Sequence, residues 1–122
     1  MRLDTEELRN LACPISNMGR VLATRETEHN VVSFGEQLLL VGAEFRSLGE
    51  GEIDLLNYSP EHLTTLHANF AALAEVAEAG YSESARNNEL LKAVGRAVDQ
   101  LDLREECFEL DSTLRKILSE FP

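Results

Sequence analysis

The sequence predicts an all-α fold, an antiparallel bundle of four to five helices with a long or broken C-terminal helix. The main observation is that apolar residues recur at steps of three and four along four segments, which is the spacing of one helical face. We find no internal repeat and no strand pattern. The 122 residues, with an apolar fraction of 43% and a charged fraction of 27%, fit a single globular domain over residues 1–122.

The first helix is predicted to begin at Asp4. Asp4 can cap a helix, and Leu3 and Leu8 can pack across its first turn. Pro14 removes a backbone donor, so we expect a kink or a short break at Cys13 and Pro14. If the helix breaks there, the residues before it form a short helix folded across the end of the bundle.

The second helix follows a polar stretch at 24–30, which is either a turn or a solvent-facing helical segment. Gly35 and Gly42 lie on one flank of this helix, although a glycine costs a helix interior about 1 kcal/mol relative to alanine. Close packing would explain both glycines, and the alanine-rich helix at 60–79 is the expected neighbour. The helix is expected to end at Gly49. Its apolar stripe is Val31, Phe34, Leu38, Val41, Phe45 and Leu48.

The third helix is predicted to begin at Ser59 and Pro60, a capping residue followed by a proline at the first helical position. Residues 49–58 before it are expected to form a loop with one short helical turn. We expect Ile53, Leu55 and Leu56 of this loop to be tucked against the end of the bundle. Gly80 is expected to stop the third helix near Ala79, and Ser82 to cap the next one.

Residues 82–121 carry two apolar stripes in succession. The first is Leu91, Val94, Val98, Leu101 and Phe108. The second is displaced by two residues, or roughly 200° around a helix, and consists of Leu103, Cys107, Leu110, Leu114, Ile117 and Phe121. Either the chain breaks near Asp102 and the last helix covers its own bundle, or one long helix presents its second stripe to a partner. A large exposed apolar stripe normally marks an interface, so we expect these six residues to form the interaction face of a homodimer.

Charge and composition limit the possible partners. The net charge is −11, divided as −5 over residues 1–60 and −6 over residues 61–122. Nine arginines and two lysines form no basic patch, so direct nucleic-acid binding is not expected. No apolar run approaches the length of a membrane span, and acids at positions 4, 6 and 7 do not fit a secretory signal. We therefore expect a cytoplasmic protein that does not bind membranes.

No motif for catalysis, metal binding or a cofactor is found. Cys13 and Cys107 are expected to be buried free thiols. Glu26 and His29 stand three residues apart, but a bundle metal site needs a second such pair, so they are interpreted as a polar linker. His67 lies within an apolar stripe and is expected to be structural and at least partly buried. We predict a protein that is not an enzyme.

Three functions remain open from the sequence. The leading hypothesis is a regulatory or interaction protein that binds a protein partner through its C-terminal helical face. The second is an acidic inhibitor, meaning an immunity protein, antitoxin or nucleic-acid mimic that covers a basic surface, since residues 99–111 hold six acids and one arginine. The third is a phosphotransfer or metal bundle that uses His67, or Glu26 and His29.

Overall fold

The computed structural model describes residues 2–121 and confirms the all-α helical bundle. Within these residues lie six α-helices and two short strands. In chain order they are β1 (Arg2–Asp4), α1 (Thr5–Asn10), α2 (Ala12–Arg25), α3 (His29–Arg46), β2 (Glu52–Asp54), α4 (Pro60–Tyr81), α5 (Glu89–Leu101) and α6 (Arg104–Ser119). Single 3₁₀ turns at Leu55–Asn57 and Glu83–Ala85 precede α4 and α5 respectively.

The two strands contradict the expectation that the chain has no strand. They pair antiparallel, with Leu3 opposite Ile53. Gly51 extends the pairing, because its carbonyl accepts a hydrogen bond from the backbone N–H of Thr5 at 3.1 Å. Three residues are too few to show an alternating pattern, so only the contact between distant segments produces this sheet. It holds the 49–58 loop to the N-terminus, with Leu55 fully buried and Leu56 exposed.

The N-terminal helix breaks as expected, but at Leu11 rather than at Cys13 and Pro14. Asp4 caps α1, and its side chain accepts a hydrogen bond from the backbone N–H of Glu6 at 2.9 Å. Pro14 lies in the first turn of α2, where its missing N–H would have no intrahelical partner. The proline therefore follows the break without distorting either helix.

Helices α2 and α3 pack closely through glycines. A Cβ atom added to Gly35 would lie 2.8 Å from the carbonyl oxygen of Gly19 and 2.6 Å from the backbone nitrogen of Ala23. Gly42 lies against Ser16 and Ala12, further towards the start of α2, so the pair is antiparallel. Close packing at Gly35 and Gly42 was predicted correctly, but the expected neighbour was wrong, because α2 and not the 60–79 helix fills this flank.

The C-terminal segment breaks at Asp102. Asp102 adopts a left-handed conformation with φ 53°, and the N–H of Leu103 donates to the carbonyl of Val98 at 3.1 Å, as in a Schellman ending. The chain changes direction there, and α6 packs along α4. Of the two arrangements left open by the sequence, the break near Asp102, which was the alternative to the expected homodimer face, is observed, and one continuous helix is wrong.

Helix boundaries around α4 and α5 also differ from the expectation. Gly80 lies within α4 and makes room for α6, since a Cβ there would lie 2.6 Å from Cys107 Sγ. Arg86 then covers the end of α4, its Nε donating to the carbonyl of Ala79 at 2.8 Å. Asn88, and not Ser82, caps α5 by accepting a hydrogen bond from the N–H of Leu91.

Candidate functional site

A groove separates α3 from α4. Helix α3 packs mainly against α2, while α4 packs against α5 and α6. These two groups of helices make few contacts between α3 and α4 along this side. The resulting cavity has a volume of about 270 Å³. Its lining is predominantly apolar and consists of Phe34, Gln37, Leu38, Val41, Glu44, Phe45, Leu66, Asn69, Phe70, Ala72, Leu73 and Val76.

The floor of the groove belongs to the core, whereas its walls do not. Leu38 and Phe70 on the floor are only 2% and 3% exposed. Phe34, Val41, Phe45 and Leu66 of the walls are half-buried, and Ala72 is exposed. Leu40, which lies on α3 outside the lining, is 66% exposed. This side of α3 is therefore an apolar surface that the chain does not cover with its own residues.

An aromatic row continues from the groove to the end of the bundle. The ring centroids of Phe45 and Phe70 lie 6.3 Å apart, and those of Phe70 and Phe121 lie 6.0 Å apart. His67 ends the row with its ring edge-on to Phe121 at 5.4 Å. The expectation that His67 is partly buried is wrong, since the residue is exposed, and its observed aromatic contact is this packing on Phe121.

The helices on either side of the groove carry unpaired acids. Glu44 lines the groove, whereas Glu36 on α3 and Glu75 on α4 are exposed and are not among the lining residues. Within residues 2–121, none of these three glutamates forms an ion pair. Arg46 does not balance them, because its guanidinium turns to α2 and donates to Ser16 Oγ at 3.4 Å.

The charge is distributed unevenly when the chain is divided by its elements. Residues 26–85, which include α3 and α4, hold eleven acids and one arginine, a net charge of −10. The remainder holds eleven acids and ten basic residues, a net charge of −1. The division into residues 1–60 and 61–122 gives nearly equal charges because its boundary lies in the middle of this acidic region. The groove is thus an apolar surface in the most acidic part of the molecule.

The predicted interaction face is covered by the chain itself. Cys107, Leu110, Leu114 and Ile117 are between 0% and 3% exposed. Leu103 and Phe121 are half-buried, and Phe121 belongs to the aromatic row. These six residues stabilise the fold, and this face is not free to bind a partner. Phe108, assigned to the first stripe, is instead 56% exposed.

One polar cluster joins α4 to α6. Tyr81 donates its hydroxyl proton to Asp111 Oδ2 at 2.5 Å, and Arg115 donates to both Asp111 and Glu78 at 3.0 Å. The hydrogen bond to Asp111, followed by burial, raises the pKa of Tyr81 to about 12. The same carboxylate raises the pKa of Arg115. Every group is partnered and the phenol is held neutral, so the cluster functions as a link between helices.

The two thiols lie in different environments. Cys107 is buried, and burial raises the pKa of its thiol to about 12, which makes it a poor nucleophile. Cys13 was expected to be buried but is exposed, because it lies on the side of α2 away from the buried Ile15, Met18 and Leu22.

Glu26 and His29 lie at the ends of different helices. Glu26 caps the C-terminus of α2 and forms an ion pair with Arg96 at 2.6 Å, whereas His29 is the first residue of α3. Among residues 2–121, no group of three or more histidines, cysteines or acids could hold a metal ion.

The sequence contained a signal for the groove in the stripe of α3. Four residues of the predicted α3 stripe, Phe34, Leu38, Val41 and Phe45, line the groove, so the sequence identified this apolar side but not that it is left open. No helix of the described chain is long and apolar enough to cross a membrane.

Comparison with protein-family models, with curated proteins and with solved structures gives no match to this chain.

Proposed function

We propose that this chain is a non-enzymatic protein-binding module, and that the groove between α3 and α4 binds an apolar segment of another protein. The observation that carries the proposal is the uncovered apolar side of α3, where Phe34 and Val41 in the groove lining are only half-buried. Contiguous exposed apolar surface in a folded chain normally marks an interaction site. The sequence also predicted a protein-binding role, but through the C-terminal helix α6. We assign that role to α3 and α4.

The size of the groove supports a segment rather than a whole protein surface. The lining residues of α3 run from position 34 to 45, and those of α4 from 66 to 76. At 1.5 Å per residue these distances are each roughly 15 to 17 Å. A segment of about three helical turns would match this length. Gln37, Glu44 and Asn69 supply polar groups at the edges of the groove.

Site-specific photo-crosslinking tests the proposal. A photo-reactive amino acid at Gln37, which is polar and lines the groove, should join the chain to a protein in the cells that produce it. The same probe at Glu109 on α6 is the control, because Glu109 is exposed and is not among the residues that line the groove. We expect a distinct adduct from position 37 that is absent from position 109. Val41→Glu, shown by circular dichroism to remain folded, should remove that adduct.

The opposite pattern would contradict the proposal. An adduct formed from position 109 alone, or an adduct from position 37 that survives Val41→Glu, would mean that the groove does not bind the partner. Leu40→Glu tests the exposed part of α3 outside the groove lining, and because Leu40 is largely exposed its replacement does not enter the core.

A further inference from the structure

We propose that the segment bound by the α3–α4 groove is a basic amphipathic helix of a partner protein. This inference rests on the proposed function and adds the conformation and charge of the partner. It follows from two properties of the groove, namely that its walls are helices and that it lies in the most acidic part of the chain, with Glu44 in its lining.

The helical walls favour a helical ligand. Within α3 and α4 the backbone N–H and C=O groups are bonded inside each helix, so the walls offer few backbone partners to a ligand. An extended peptide in this apolar groove would leave its own buried backbone groups without partners, which is unfavourable. A helix satisfies those groups internally and can place apolar side chains at spacings of three, four and seven residues along the groove.

The unpaired acids favour a basic ligand. Glu44, which lines the groove, and Glu36 and Glu75, which are exposed elsewhere on α3 and α4, form no ion pair among the described residues, and the 26–85 region has a net charge of −10. Lysine or arginine on the polar side of a bound helix would pair with Glu44 and lie in the negative potential of this region. A second copy of this chain is disfavoured, since it would bring the same unpaired acids together, and like charges across an interface oppose binding.

Three synthetic helical peptides of about 16 residues, long enough to pass both ends of the groove, provide the test. The first has a leucine stripe with lysines on its polar side. The second keeps the stripe but replaces each lysine with glutamine, and the third keeps the composition of the first but scrambles the stripe. We expect only the first to bind tightly by fluorescence anisotropy, with affinity at least tenfold above the other two. Val41→Glu should abolish this difference.

Two matched charge variants locate the binding surface. The triple variant Glu36→Gln, Glu44→Gln and Glu75→Gln removes the lining carboxylate and two further charges of α3 and α4, and should weaken binding of the lysine peptide about tenfold, as expected for one lost ion pair and a weaker negative potential around the groove. The control Glu105→Gln, Glu106→Gln and Glu109→Gln changes the net charge equally on α6 and should weaken binding less than threefold. Added salt should weaken binding to the unmodified chain and have a smaller effect on the groove triple variant.

Each contrary result has a distinct meaning. Equal binding of the lysine and glutamine peptides, both lost in Val41→Glu, would overturn the basic partner but leave the groove as a binding site. Greater weakening by the α6 triple variant would place the basic ligand on the acidic 99–111 surface and overturn both proposals. Concentration-dependent dimerisation in sedimentation, lost in Val41→Glu, would identify a second copy as the occupant and overturn the basic helix.

Discussion

Cys107 and Tyr81 bind their protons more tightly in the folded chain than in the unfolded chain. Burial raises the pKa of Cys107 from 9.0 to about 12, and the bond to Asp111 raises the pKa of Tyr81 from 10.0 to about 12. Since the folded pKa exceeds the unfolded value in both cases, each group contributes stability that is complete below the unfolded pKa. That contribution is lost as the pH rises towards 12.

We therefore predict that the free energy of unfolding falls between pH 9 and pH 12. Cys107→Ala and Tyr81→Phe should each show a shallower fall, because each removes one of the retained protons. Urea unfolding at a series of pH values measures these slopes. Cys13→Ala and Tyr58→Phe serve as controls, since both residues are exposed, and their slopes should match that of the unmodified chain. Parallel curves for all variants would contradict the prediction.

At the scale of elements, glycines decide how the helices meet. Gly19 and Gly35 bring the backbones of α2 and α3 together, and Gly80 admits Cys107. The sequence indicated close packing at Gly35 and Gly42, because two glycines within one helix need an explanation. It did not indicate the partner, because Gly19 within α2 and the alanines within α4 are equally suited to a close approach.

Gly35→Ala should destabilise the protein by about 1–3 kcal/mol, since the new methyl group would overpack against the backbone of α2. Gly42→Leu should be destabilising for the same reason. The matched control is Gly49→Ala, because a Cβ there would meet no atom within 4 Å, and its effect should be within about 0.5 kcal/mol. Thermal and urea unfolding measure both. A gain in stability for Gly35→Ala, as at an exposed helical glycine, would contradict this packing.

At the scale of the whole molecule, the change of chain direction at Asp102 determines which side of α6 is buried. It places the apolar stripe of α6 against α4 and leaves Phe108 exposed on the same helix. Leu114 is 0% exposed, so a charge there would be buried without a partner. The chain covers its own C-terminal stripe, and the main reason for expecting a homodimer through that stripe is removed.

Leu114→Glu should consequently unfold the chain or cost more than about 3 kcal/mol, because it buries an unpaired carboxylate. Phe108→Glu, six residues earlier on the same helix, should remain folded with a much smaller change. Circular dichroism and thermal unfolding distinguish the two. A Leu114→Glu protein that keeps its helical content and sediments as a folded monomer would restore the interpretation of this face as an interface.

The helical class and the starts of α1 at Asp4 and of α4 at Ser59 were accessible from the sequence, which indicated the break near Asp102 only as one of two alternatives. Each depends on residues close in the chain: a capping side chain accepts from an N–H two or three residues away, and a displaced stripe signals a change of face within one segment. The acidic character of residues 26–85 was also readable, although dividing the chain into halves obscured it.

Tertiary structure alone decided which apolar surfaces are covered. Periodicity identifies the side of a helix that avoids water, but it contains no information on whether a distant helix fills that side. Helix α6 folds back and buries its stripe, whereas α3 has a neighbour on one flank and an open groove on the other. The pairing of β1 with β2, the exposure of Cys13 and His67, and the location of the candidate site in the α3–α4 groove depend on such long-range contacts.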